Sequence, residues 1–161
     1  MVTYNRKNIL INNIELLRKA FKISKNYYNF EIIAICIMQD HIHMVLSIPV
    51  PENLPKIVRI LKQNFTKLIP DKYYPANITE SMKKRNEKGI WQRRYYDHII
   101  RNEKDLFKHI DYIHFNSMKH YNIPPKDWKF SSFTKYVNNN YYDLNWCNYG
   151  DKNHISEMEL E

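Results

Sequence analysis

The sequence predicts an α+β fold in which an antiparallel sheet carries helices on one face. Three observations point there. A nearly continuous apolar run at residues 30–38 and an alternating one at 42–48 are separated by little more than Gln39-Asp40, the pattern of a hairpin. Apolar residues recur at helical spacing on either side of that pair: Ile14, Leu17 and Phe21 before it, and Ile57, Leu61, Phe65 and Leu68 after it. A further strand or bent pair at 90–101 and a helix at 102–119 complete the order strand fragment, helix, strand, strand, helix, strand, helix. That is the order of a ferredoxin-like split βαβ layer.

Each element has a local cause. Residues 2–4 are too few for a complete strand and read as the end of one, so the first strand is expected to be truncated. Asn12 or Asn13 can cap the first helix, with Glu15 in its first turn, and the helix should fade near Asn26. The run at 30–38 suits a strand covered on both faces. In the next strand Ile42, Met44 and Leu46 alternate with His41, His43 and Val45. Pro49, Pro51 and Pro55 mark its exit. Residues 71–80 read as irregular, and 81–89 as polar and basic. Asn102, with Asp105 at the N3 position, starts the last long helix, and Pro124-Pro125 ends it. Residues 128–136 read as a packed extension, with 138–140 and the acidic end expected to be loose. The expected organisation is one catalytic domain over 1–136 and a partly disordered extension over 137–161.

Composition narrows the function classes. A chain of 161 residues suits one compact domain. Lys and Arg (25) exceed Asp and Glu (17), a net +8 that favours a polyanion, either nucleic acid or an acidic membrane surface. Two glycines leave no glycine-rich phosphate cradle, so no nucleotide cofactor is expected. No apolar run approaches a membrane span, and no apolar stretch follows the first charges as in a signal peptide. Cys36 and Cys147 are far apart and form no CxxC. These features suggest a reduced, cytoplasmic protein that uses no membrane.

His41-Ile42-His43 is the first candidate for chemistry. Alternate residues of a strand share a face, roughly 6.5–7 Å apart, so two imidazoles can converge on one ion while Ile42 enters the core. Imidazole suits Mn, Fe, Co or Zn, and a phosphate-handling site completes its shell with oxygens and water. Taken alone, HxH also arises by chance. The other histidines, His98, His109, His114, His120 and His154, read as surface or packing residues.

Tyr112 is the second candidate. Leu106, Ile110 and Ile113 form the apolar stripe of its helix, and at about 100° per residue Asp105, Tyr112 and Asn116 gather on one flank. Tyr112 should therefore face a polar edge, with Asn116 one turn away and able to lend an amide oxygen to a metal. A phenol is a weak nucleophile because its ordinary pKa is about 10, so it needs a cation or base beside it. Among 13 tyrosines, one on an amphipathic edge is otherwise unremarked.

These residues sit in longer segments that carry a resemblance. Met38-Gln39-Asp40-His41-Ile42-His43 is one. Ile90-Trp91-Gln92-Arg93-Arg94-Tyr95-Tyr96-Asp97-His98, continuing through Ile99 to Asp105, is another. Asp111-Tyr112-Ile113-His114-Phe115-Asn116-Ser117-Met118-Lys119-His120 and Trp128-Lys129-Phe130-Ser131-Ser132-Phe133 complete the set. Together they resemble the single-tyrosine HUH transposases, in their REP-associated tyrosine transposase branch. The resemblance implies a ferredoxin-like fold and metal-dependent cleavage and rejoining of single-stranded DNA, often beside a hairpin. It implies that His41 and His43 bind Mg²⁺ or Mn²⁺, that Asn116 can complete the shell, and that Tyr112 becomes linked to a 5′-phosphate while a 3′-OH is freed. Single-stranded or hairpin DNA is then the partner, a homodimer a possible state, and the nucleoid the place. Residues 2–6 match the middle of the family's first strand and its exit. Gln39-Asp40 and Ser117-Met118 replace the family's usual pairs.

A basic surface fits that partner. Lys83, Lys84, Arg85, Lys88, Arg93 and Arg94 fall close together, and Lys62 and Arg101 join them as candidate DNA contacts. Lys56, Arg59 and Lys67 add charge to the helix around Lys62. Tyr73, Tyr74, Trp91, Tyr95 and Tyr96 interleave and can stack unpaired bases. Two other readings stay open. One is a truncated or domesticated relative that binds structured DNA or RNA without catalysis. The other is an unrelated ferredoxin-like RNA- or metal-binding protein.

Overall fold

The computed structural model describes residues 1–147, and the acidic end lies outside them. The chain divides into two compact units. The first comprises Met1–Glu31, Gln39–His41 and Ser47–Tyr96; the second comprises Ile32–Met38, Ile42–Leu46 and the chain from Asp97 on.

The first unit is built on two helices, α1 (Ile14–Lys25) and α2 (Leu54–Leu68). Their apolar stripes pack together: Leu17, Ala20 and Phe21 from α1, and Ile57, Val58, Leu61 and Phe65 from α2, are all buried. Each of the larger side chains, Leu, Ile, Val and Phe, contributes roughly 1.5–3 kcal/mol by leaving water. Asn13 stands at the start of α1 as expected, yet its side chain does not cap the helix; its Nδ2 donates to the Ile9 carbonyl at 2.7 Å. A short helix, α3 (Glu80–Lys84), occupies ground that the sequence reads as irregular and polar. Thr79 caps it by accepting from the Met82 amide at 3.2 Å. Gly89 follows at φ +67°, where a Cβ would meet Pro75 Cγ at 2.6 Å, so only glycine fits this turn without strain.

The N-terminal residues behave as the strand end the sequence suggests. Val2 bridges antiparallel to His41, and Thr3 to Trp91. The Thr3 amide donates to the Asp40 carbonyl at 2.8 Å and the Tyr4 amide to the Ile90 carbonyl at 2.9 Å. The strand expected at 90–101 is reduced to that single bridge at Trp91, and residues 92–101 are irregular. The reason is visible in burial. From Gln92 on, the side chains are mostly exposed, so no apolar alternation holds the segment against a partner.

The second unit contains all but the end residues Glu31 and Ser47 of the hairpin strands, β1 (Glu31–Ile37) and β2 (Ile42–Ser47), which pair antiparallel. Ala34, Cys36 and Met38 point into a core closed by Val45, by Ile110 and Ile113 of α4 (Glu103–Tyr121), and by Phe133 and Tyr142. Burial pushes the Cys36 thiol pKa up to about 12. The extension at 128–136 lies along β1. Cys36 bridges Ser131, the Ile37 amide donates to Phe130, and the Tyr136 hydroxyl donates to the Ile33 carbonyl at 3.0 Å. Asn102 caps α4 as expected, accepting from the Asp105 amide at 2.9 Å. The helix ends at Asn122, which takes the left-handed conformation. The extension proposed from residue 137 begins inside α5 (Phe133–Asn138), and Tyr142 and Trp146 beyond it stack with Phe133. The loose end expected from the sequence falls on residues 148–161, outside the described residues.

Candidate functional site

Helical geometry brings four α4 residues of the second unit to one neighbourhood. Tyr112 and Asn116 are one turn apart, and Lys119 and His120 follow two turns beyond Tyr112, back on its side of the helix. His43 arrives from β2. Its ring meets Tyr112 edge-on, with centroids 5.7 Å apart and planes at 87°. Ring nitrogens of His43 and His120 lie within 4.8 Å of each other. Lys119 Nζ donates to the Tyr112 hydroxyl at 3.0 Å and sits 4.9 Å from the centroid of its ring. The amphipathic pattern places Tyr112 at a polar edge. It is in fact only 5% exposed, with His43 and Lys119 against its ring, although its hydroxyl keeps a polar partner.

Asn116 is fully buried. Its Nδ2 donates back to the Tyr112 carbonyl at 2.7 Å, and its Oδ1 has no hydrogen-bond partner among the described residues. A buried amide oxygen without a donor is costly, and a cation is one group that would satisfy it. The donor set on α4 and β2, imidazole nitrogens with one amide oxygen, thus fits a divalent metal of the kind imidazole favours.

His41 belongs to the first unit, one residue before β2, and is 6% exposed. Its Nδ1 lies 2.6 Å from Asp40 Oδ1, and Arg6 reaches the other carboxylate oxygen at 3.3 Å. A carboxylate on Nδ1 holds the proton there and leaves the ligating lone pair on Nε2, the usual setting of a metal-binding imidazole. Asp40, read from the sequence only as a turn residue, is therefore the orienting partner of His41.

The basic residues separate by role. Lys62, Lys83, Lys84, Arg85, Lys88, Arg93 and Arg94 belong to the first unit, and Arg101 to the second. Lys62 is half-buried and ties α2 to the irregular segment. Its Nζ donates to the Gln92 carbonyl at 2.8 Å and lies 5.5 Å from the Tyr95 ring, and burial pushes its pKa down. Lys83 pairs with Glu80 at 2.7 Å. Arg85 pairs with Glu87 at 2.8 Å and donates to Ser81 Oγ. The hydrogen bond from Arg85 to Glu87, with the charges of Arg93 and Lys62 behind it, holds the Glu87 carboxyl below its ordinary range. Lys84, Lys88, Arg93, Arg94 and Arg101 are exposed.

The interleaved aromatics separate as well. Tyr96 is 73% exposed and open to a stacking partner. Trp91 is buried, its ring 5.4 Å from Phe65 and its Nε1 donating to the Lys62 carbonyl. Its bulk finishes the α2 core instead of meeting bases.

Of the histidines read as surface or packing residues, His114 does pack: it is fully buried, between Ser132 Oγ at 2.7 Å and the Tyr142 hydroxyl at 3.2 Å. His120 instead joins the His43 neighbourhood. His154 lies outside the described residues.

Comparisons with known proteins bear on the family and the fold. A family model described as "Transposase IS200 like" matches residues 1–116. A REP-associated tyrosine transposase of Haemophilus influenzae is 39% identical over 142 residues, covering 87% of this chain and 80% of that protein. One from Escherichia coli is 30% identical over 156 residues, covering 96% and 84%. A solved REP-associated tyrosine transposase bound to a REP hairpin superposes with a TM-score of 0.72 at 29% identity, covering 90% of this chain and 81% of that one. Among the described residues no helix is long and apolar enough to cross a membrane.

Proposed function

We propose, for a chain that belongs to the IS200-like transposase family, that it cuts and rejoins single-stranded DNA beside a hairpin through a covalent 5′-phosphotyrosine on Tyr112. The single observation that carries the reading is the edge-on approach of His43 to Tyr112, which sets a candidate metal ligand beside a candidate nucleophile.

His41 and His43 are proposed as the metal pair, since alternate residues of extended chain share a side. His120 is proposed as a third ligand on its closeness to His43, with Asn116 Oδ1 as a further donor. Mg²⁺ or Mn²⁺ is the proposed ion. When bound, it would polarise the scissile phosphate and neutralise its charge. The protein's own part is to position and activate the phenol. Tyr112 Oη gives up its proton and forms a bond to phosphorus, the bond from phosphorus to the 3′-oxygen breaks, and that oxygen takes up a proton and leaves as a 3′-OH, so the proton count is unchanged. The Lys119 ammonium favours the negative charge on the phenol oxygen as attack begins. The ester formed conserves the energy of the broken one, so rejoining needs no nucleotide. With His43 and Tyr112 in contact, attack is proposed to occur within one chain.

Lys84, Lys88, Arg93, Arg94 and Arg101 are proposed to meet the phosphate backbone, and Tyr96 an unpaired base. The test is adduct formation on a matched hairpin with a single-stranded flank, read on a denaturing gel with Mg²⁺ or Mn²⁺. Wild type should form the adduct and Tyr112→Phe should not. An adduct that survives in Tyr112→Phe removes Tyr112 as nucleophile. Salt-sensitive binding with no adduct in wild type selects a binding protein without catalysis.

A further inference from the structure

A second group of metal-ligand type lies in the second unit, away from the residues discussed so far. His98 stands in the irregular segment before α4, Asp105 in the first turn of that helix, and His109 one turn later. One ligand atom from each lies within 4.8 Å of the other two. His98 Nε2 is 2.9 Å from Asp105 Oδ2, and His109 Nδ1 is 3.1 Å from Asp105 Oδ1. The two imidazoles stack, with centroids 4.5 Å apart and planes at 12°.

The positions are set from several sides. Asn102 fixes the Asp105 backbone by capping its amide, and the Arg101 amide donates to the Asp105 carboxylate at 3.0 Å. The His98 ring and that amide thus both meet the same carboxylate oxygen and fix its position. His109 Nδ1 also donates to the Asp105 main-chain carbonyl at 2.8 Å, which fixes its ring against the first turn of the helix. Side-chain exposures of 27%, 19% and 15% for His98, Asp105 and His109 leave an entry path and room for water to complete a shell.

We infer that His98, Asp105 and His109 form a second metal site, for a first-row divalent transition ion such as Zn²⁺ or Co²⁺. Two imidazoles and one carboxylate suit these ions. The site is separate from the proposed catalytic group, because His109 and His120 are eleven residues apart on α4, roughly 16 Å along its axis. Its effect is to staple residues 98–101 to the first two turns of the helix that carries Tyr112. The inference does not depend on Tyr112 being a nucleophile.

The test is titration of the full chain with Zn²⁺ alone, reading stoichiometry by calorimetry and the Zn²⁺-dependent rise in Tm, with Co²⁺ absorption reporting the ligands. His41→Ala/His43→Ala should keep one equivalent that His98→Ala/His109→Ala loses. His98→Gln/His109→Gln, which keeps amide donors toward Asp105 but lacks imidazole, should match wild type without Zn²⁺ and also lose that equivalent. Unchanged stoichiometry and an unchanged Tm rise in the glutamine variant overturn the site.

Discussion

Lys119 Nζ donates to the Tyr112 hydroxyl at 3.0 Å from two helical turns away on α4. The same ammonium lies over the ring, 4.9 Å from its centroid, so Lys119 both restrains the side chain and sets a positive charge beside its oxygen.

Lys119→Ala should therefore slow adduct formation by about 100-fold, the scale for losing one preorganised donor at developing charge. The loss should appear in the single-turnover rate, with hairpin affinity little changed. Lys119→Arg should recover part of it. An unaltered rate in Lys119→Ala would reduce Lys119 to a packing role.

Asp40 supports His41 through the 2.6 Å contact at Nδ1. Loss of such an orienting partner typically lowers metal affinity about 10–100-fold. Asp40→Ala should raise the Mn²⁺ concentration needed for half-maximal adduct formation by that factor, while saturating Mn²⁺ restores most of the rate. A variant that saturates at the wild-type concentration rules out the orienting role.

What the sequence reveals of this neighbourhood follows the range of the interactions. The hairpin and the HxH spacing are legible because strand alternation is local. Asn102 as a cap is legible for the same reason. Lys119 and His120 carry a usable signal, since residues seven and eight positions after Tyr112 return to its side of a helix, but on an exposed helix end Lys and His look like solvated charge. Asp40 is hidden by its turn-like context. The strand expected at 90–101 fails for a tertiary reason: Tyr, Trp and Ile give it strand character, yet only Trp91 finds a bridging partner. The burial of Tyr112 is equally invisible, because it depends on His43 from β2.

Arg93 and Arg94 are exposed on the irregular segment, three and two residues before the exposed Tyr96 ring. Each phosphate contact contributes about 0.7–0.9 to the slope of log affinity against log salt. Arg93→Ala/Arg94→Ala should flatten that slope by about 1.5 in hairpin-binding titrations and weaken binding across sequences alike. Trp91→Phe should leave the slope unchanged, since Trp91 packs on Phe65. A slope indifferent to both arginines excludes this segment from the DNA contact.

His114 makes stability depend on pH. Burial lowers its pKa from 6.5 to about 4, and its ring is held between Ser132 and Tyr142. As pH falls through 6.5 the unfolded chain takes up the proton and the folded chain does not, so protonation favours unfolding. The stabilisation from a neutral His114 is complete above pH 6.5, declines between 6.5 and 4, and is gone below 4. The span corresponds to about 3 kcal/mol. Asp111, its carboxyl raised by burial and hydrogen-bonded by Tyr142, works in the opposite direction, which is why the comparison must be between variants. Urea unfolding at pH 7, 6 and 5 should show wild type losing stability faster than His114→Gln, whose amide keeps polar contacts without titrating. Parallel curves for the two proteins would mean that His114 is protonated alike in the folded and unfolded chains.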